Sequence, residues 1–178
     1  MKTLAVFISG QGSNLSVFLQ NKNKFKDLVV VSSKEGAFGL KKAERFSVKT
    51  TVLSPSVDWE ELDEQLKSWG VDLIFLAGFM KIVPESFIQK WDGKLFNLHP
   101  SLLPKYKGLK SIERAYSDRA SVGASIHKVT AEVDGGEILF QDEAVSAESI
   151  KDHSLSQVEF YTHVCEQKLL RQWIEKWA

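Results

Sequence analysis

Three short apolar runs, residues 4–8, 28–31 and 73–79, are separated by stretches of helical period. Runs of that length without polar alternation fit strands buried on both faces, and the helical stretches are the crossovers that parallel strands need. The fold expected is therefore α/β: a mostly parallel twisted sheet with helices on both faces, Rossmann-like in its N-terminal half. The clearest helix begins at Asp58, whose carboxylate can cap it while Glu61 completes a capping box. Trp59, Leu62, Leu66 and Trp69 form one stripe before Gly70. Further strands are expected over 94–98, 125–129 and 137–144, the last two antiparallel because a short loop joins them. A closing helix carries Leu155, Val158, Thr162, Cys165, Leu169, Trp173 and Trp177 along one side.

With 178 residues, no internal repeat and no Pro/Gly/Ser linker, the chain reads as a single domain over 1–178. Its 23 basic and 23 acidic side chains cancel, which removes the electrostatic footprint of a general nucleic-acid or membrane-surface binder, so neither partner is expected. Cys165 is the only cysteine, so no intrachain disulfide and no thiolate zinc cluster can form, and a reducing, cytoplasmic location is expected. The N-terminal apolar run is too short for a secretory signal and leads into glycines without a cleavage site. No apolar stretch approaches the length of a membrane span.

Three features carry chemistry. The junction Ser9-Gly10-Gln11-Gly12-Ser13-Asn14 lies between the first strand and a helix starting near Leu15. Glycines let such a turn close tightly, and its free amides with the helix dipole suit a phosphate or carboxylate. It lacks the Gly-Lys-Ser/Thr ending of a Walker loop, and Leu15 occupies the third glycine of a dinucleotide fingerprint, so a single phosphate fits better. The competing reading is a plain strand-to-helix turn capped by Ser13 or Asn14.

Next, Asn97 and His99 alternate along one strand and so share a face, where a carboxamide and an imidazole can converge on one small group. Both can donate to an oxyanion, and the imidazole can also move a proton, which is equipment for acyl transfer. A histidine beside proline that merely ends a strand is the alternative. Finally, Asp134-Gly135-Gly136 lies in the turn before the last strand. It is an ordinary hairpin signal, yet a carboxylate brought beside His99 would favour the imidazolium and pass protons. His127, His153 and His163 have no chelating spacing to one another and read as packing or supporting residues, so no metal is expected.

The segments Ile8-Ser9-Gly10, Gly12-Ser13-Asn14-Leu15, Leu76-Ala77-Gly78-Phe79-Met80, Asn97 through Tyr106, and Asp134-Gly135-Gly136 occur in the order seen in phosphoribosylglycinamide formyltransferases, and the chain resembles that family over nearly its whole length. The resemblance implies that the amine of glycinamide ribonucleotide attacks the formyl carbon of 10-formyltetrahydrofolate through a tetrahedral intermediate, with formylfolate as co-substrate and no metal. It implies that Asn97, His99 and Asp134 are catalytic, that Gly12, Ser13 and Asn14 hold the substrate phosphate, and that the Leu103–Pro104 peptide is cis. Met80, Lys81, Ile82, Val83, Asn97, Thr130, Ala131, Glu132, Val133 and Asp134 would line the folate cleft. Oligomeric state is left open.

Several positions depart from the family pattern. Trp59 and Lys81 stand where arginines are common, Val122 where a histidine precedes Gly123, and Glu137 where a proline is usual. Thr162 stands where a glutamate usually meets the ribose and amine of the substrate, with Glu159 one helical turn upstream, so Glu159 and Thr162 are the expected substrate-binding positions on the last helix. A 10-formyltetrahydrofolate hydrolase, or a formyltransferase for another phosphorylated amine, is the runner-up. The hydrolases carry an extra N-terminal domain, whereas this sequence opens on the first strand. A phosphate- or folate-binding module without turnover is the non-enzyme alternative, which the intact Asn97, His99 and Asp134 disfavour.

Overall fold

The computed structural model describes residues 1–178. Seven strands form one sheet in the order Lys49–Val52, Asp27–Ser32, Thr3–Ile8, Leu73–Leu76, Leu95–His99, Val122–Lys128, Ile138–Val145. The chain divides into two compact units, residues 1–96 with 174–178, and residues 97–173.

In the first unit, β1 (Thr3–Ile8) pairs in parallel with β2 (Asp27–Ser32) and with β4 (Leu73–Leu76), and β2 pairs in parallel with β3 (Lys49–Val52). Every residue of β1 and β4 is buried, which is why both read as unbroken apolar runs. Helices α1 (Leu15–Gln20), α2 (Phe38–Arg45) and α3 (Trp59–Ser68) are the crossovers. A further helix, α4 (Glu85–Lys90), precedes β5 (Leu95–His99). The run expected to reach residue 79 stops at Leu76, because the chain turns at Gly78, whose φ of +75° is left-handed.

Asp58 caps α3 through one oxygen, accepting from the Glu60 and Glu61 amides at 3.0 Å each. The stripe beneath contains a carboxylate as well as leucines: Asp63 is 2% exposed between Leu62 and Leu66. It accepts from Trp91 Nε1 at 3.0 Å and from Lys67 Nζ at 2.7 Å, and lies 3.3 Å from Lys90 Nζ. Trp59 packs edge-on against Phe87, with ring centroids 5.0 Å apart, which ties the start of α3 to α4.

In the second unit, β6 (Val122–Lys128) and β7 (Ile138–Val145) are antiparallel, as their short connection requires. β6 begins three residues earlier than expected, with a register irregularity at Val122/Gly123. Gly123 is needed there, since a Cβ would lie 2.2 Å from the Asp142 carbonyl oxygen. Helix α5 (Ser111–Ser117) helps to close a small core of Ala115, Val122, Val145, Ile150 and Val158. The long helix α6 (Leu155–Trp177) buries Val158, Thr162, Cys165, Leu169 and Trp173 along the expected stripe. No helix is long and apolar enough to cross a membrane.

Candidate active site

The second unit brings the three expected catalytic residues together. Asn97 and His99 lie two apart on β5, and Asp134 lies in the β6–β7 loop with a left-handed backbone, φ +50°. Asp134 is placed there by a loop with no spare room, because a Cβ on Gly136 would sit 1.9 Å from the Lys128 carbonyl oxygen. One carboxylate oxygen, Oδ2, accepts from the Gly108 amide at 2.9 Å and faces His99 Nδ1 at 3.3 Å. The other, Oδ1, accepts from Asn97 Nδ2 at 3.3 Å and faces His127 Nε2 at 3.4 Å. His99 also gives its Nε2–H to the Tyr106 carbonyl at 3.0 Å, so with acceptors at both ring nitrogens it satisfies both contacts as the imidazolium.

Burial alone would push the Asp134 carboxyl up. The hydrogen bond from His127, the Gly108 amide and the charge of His99 outweigh it and hold the group down at about 2. Asp134 is thus an anion through the whole physiological range. A fixed anion, two imidazoles and a carboxamide within hydrogen-bonding reach of one another define a polar cluster able to stabilise an oxyanion and to move a proton.

Behind this cluster the segment 101–105 is braced. The Leu103–Pro104 peptide is cis. The buried Ser125 hydroxyl donates to the Ser101 carbonyl at 2.6 Å and accepts from the Leu103 amide at 3.2 Å. Gln141 Nε2 donates to both the Leu103 carbonyl and Ser125 Oγ at 2.9 Å.

The glycine turn lies in the first unit. Gly12 has φ +65°, and a Cβ there would meet Gly39 Cα at 2.7 Å, so the two backbones are in direct contact. Asn14, at the N-cap of α1, is helical in backbone and makes no side-chain cap bond. The turn is closed instead on the Gly12 carbonyl, which accepts from the Ser16 amide at 3.2 Å, Ser16 Oγ at 3.0 Å and Lys42 Nζ at 3.0 Å. Lys42 therefore brings a cation to a turn in which the sequence pointed only to backbone donors.

The remaining expected positions are placed as follows. In the first unit, Met80 and Ile82 are 64% and 87% exposed, the Met80 amide donates to Ser9 Oγ at 2.8 Å, and Lys81 Nζ reaches the Pro55 carbonyl. In the second, Thr130, Ala131, Glu132 and Val133 are exposed, with Glu132 paired to Lys107 at 2.7 Å. On α6, Glu159 is exposed, but Thr162 is fully buried and its hydroxyl donates to the Val158 carbonyl at 2.8 Å. Thr162 is corrected as a substrate-binding residue on that ground: a β-branched side chain two turns into the helix back-bonds to the preceding turn and presents no group outward. His127, read from sequence only as a packing or supporting residue, touches both Asn97 and Asp134.

The fold and this cluster suit the chemistry of acyl-group transfer, and comparison with known proteins gives the family. A family model described as formyl transferase matches residues 2–174. The phosphoribosylglycinamide formyltransferase of Haemophilus influenzae is 40% identical over 152 residues, which is 79% of this chain and 72% of the relative. The trifunctional purine biosynthetic protein adenosine-3 of Gallus gallus is 41% identical over 78% of this chain, and the chain spans about 15% of that protein's length. Among solved structures, phosphoribosylglycinamide formyltransferase from Streptococcus pneumoniae superposes with a TM-score of 0.89 at 29% identity, covering 99% of this chain and 98% of that one. The chain belongs to the formyl transferase family, within its phosphoribosylglycinamide formyltransferase branch.

Proposed function

We propose that the protein transfers a formyl group from 10-formyltetrahydrofolate to the amine of glycinamide ribonucleotide, as one domain over 1–178 acting in the cytoplasm. The observation that carries the reading is the convergence of Asn97, His99 and His127 on the Asp134 carboxylate, in a member of this family. The substrate amine attacks the formyl carbon, and the carbonyl electrons move onto oxygen. Asn97 donates an N–H to that oxygen, and His99 gives it the Nε2–H otherwise held by the Tyr106 carbonyl. Asp134 stabilises the imidazolium and helps to carry the proton lost by the amine to the folate nitrogen, as the bond from formyl carbon to that nitrogen breaks. Gly12, Ser13 and Asn14 take the substrate phosphate with Lys42 as the nearby cation, while residues 80–83 and 130–134 serve the folate.

Incubating the protein with both substrates is expected to yield formylglycinamide ribonucleotide, identified by mass spectrometry, with a stoichiometric equivalent of tetrahydrofolate. Formate in place of the formylated amine would overturn the reading in favour of hydrolysis, and a preferred formylated product from another phosphorylated amine would move the substrate assignment.

Gly12→Ala tests the phosphate turn. The added methyl must displace backbone at Gly39 and adopt a left-handed φ, a strain on the order of 1–3 kcal/mol that falls on the turn rather than on the reacting centre. Steady-state kinetics are expected to show KM for the phosphorylated amine raised about tenfold or more, with kcat within a factor of about three. A KM that stays put would remove the phosphate from this turn.

A further inference from the structure

His127 is 2% exposed, and none of the steps above uses it. Its Nδ1 lies 2.8 Å from the Lys128 carbonyl oxygen, which can only accept, so Nδ1 carries a proton whether the ring is neutral or charged. Its Nε2 closes a nearly equilateral triangle, 3.2 Å from Asn97 Nδ2 and 3.4 Å from Asp134 Oδ1, the third edge being the 3.3 Å bond from Asn97 Nδ2 to Oδ1.

Counting protons around that triangle separates two states. Asp134, which keeps the Gly108 amide and His99 beside it in either state, is ionised and only accepts. With a neutral His127, Nε2 is a bare acceptor, and Asn97 spends one N–H on it and the other on the carboxylate. Nothing is left to offer a substrate. With a charged His127, Nε2–H itself donates to the carboxylate, so Asn97 supplies a single bond to the triangle and its second N–H is released. We propose that His127 is a positioning residue whose second proton frees one N–H of Asn97 for the oxygen of the reacting formyl group. The role rests on the formyl-transfer reading above. The groups facing the ring are Asn97 of β5, Asp134 of the β6–β7 loop with His99 behind it, and Ile138, its register partner on β7.

The test joins NMR on the ligand-free protein to a pH series of kcat. In 15N-labelled protein, protonation of His127 Nε2 is expected to release one of the two Asn97 side-chain N–H protons, which moves upfield and exchanges faster with water while the other holds its place. In the assay, kcat at saturating substrates is expected to fall on the order of a hundred- to a thousandfold as pH rises through the same midpoint. A substrate amine that must lose its own proton gives a limb of opposite sign. The falling limb at the His127 midpoint is expected to vanish in His127→Gln, which cannot titrate, leaving any limb that belongs to His99 at its own midpoint, whereas a residue that only supports the fold would scale kcat equally at every pH. Both Asn97 protons keeping their bonds through the titration, or a falling limb retained at the His127 midpoint in His127→Gln, would overturn the role. If His127→Gln does not fold, the wild-type titration decides alone. The NMR result as expected, from a protein that makes no formylglycinamide ribonucleotide, supports His127 as the positioning residue and rejects the substrate reading.

Discussion

Asp134→Asn is expected to lower kcat for formyl transfer on the order of 10²–10⁴-fold, the range for losing a positioned acid–base group. The substitution keeps the shape of the side chain but removes the one anion on which His99, His127, Asn97 and the Gly108 amide converge. The imidazolium of His99 loses its charge partner, and the proton leaving the amine loses its relay. Single-turnover measurement with both substrates bound separates this loss of chemistry from any change in affinity, and an unchanged rate would remove Asp134 from the reaction.

The same substitution has a signature in acid. A carboxyl held at about 2 in the folded protein, against an ordinary 3.8, contributes stability that is fully present above 3.8 and is lost as pH falls through about 2. That contribution is about 2 kcal/mol at neutral pH. Denaturant titrations of the parent at neutral pH and near pH 2 should therefore differ by about that much more than those of Asp134→Asn. Equal acid sensitivity in the two proteins would mean that the carboxylate gains nothing from its neighbours.

The largest expected loss of stability comes from Asp63→Ala. Asp63 is the only buried acid beneath α3, and truncation strands the Trp91 indole N–H while freeing two lysines from their shared partner. Burial alone would raise its carboxyl, but Lys67, Lys90 and the Trp91 indole together bring it down, so the anion is the native form. Losing a buried charged acceptor that has three donors is expected to cost about 2–4 kcal/mol. In a chain of this size that lowers Tm by roughly 5–15 °C. Asp63→Asn, which can still accept from Trp91, should lose less. A calorimetric Tm for the alanine variant within about 2 °C of the parent would show that the pairing is dispensable.

The parallel half of the sheet was legible because buried strands such as Leu4–Ile8 are apolar on both faces. β3 was not, since Lys49–Val52 lies at the sheet edge with no buried residue and its Lys-Thr-Thr-Val reads as loop. α4 and α5, six and seven residues long, are too short to display a helical period. In the site, alternation along β5 was enough to bring Asn97 and His99 to one face. His127 escaped because alternation along β6 leaves open which of its two faces meets Asn97. That choice depends on sheet register, which no local pattern encodes. Lys42 escaped for a related reason, its ammonium reaching Gly12 across thirty positions of sequence. Thr162 was judged by the residue it replaces, whereas its own chemistry, a hydroxyl short enough to bond back along the helix, decides where it points.

The contact between Gly12 and Gly39 makes two positions one heritable trait. Residue 39 lies on α2, outside the turn, yet a side chain there would press on Gly12 Cα at 3.3 Å and on Ile8 Cδ1 at 2.4 Å. A change at residue 39 of α2 therefore reaches the turn only by moving the Ile8 side-chain tip and pressing the Gly12 backbone aside by a few tenths of an ångström. The fit of the turn is thus shared by two elements, and changes that relieve a side chain at either glycine are expected around Ile8 and the neighbouring backbone rather than at Asn97, His99 or Asp134.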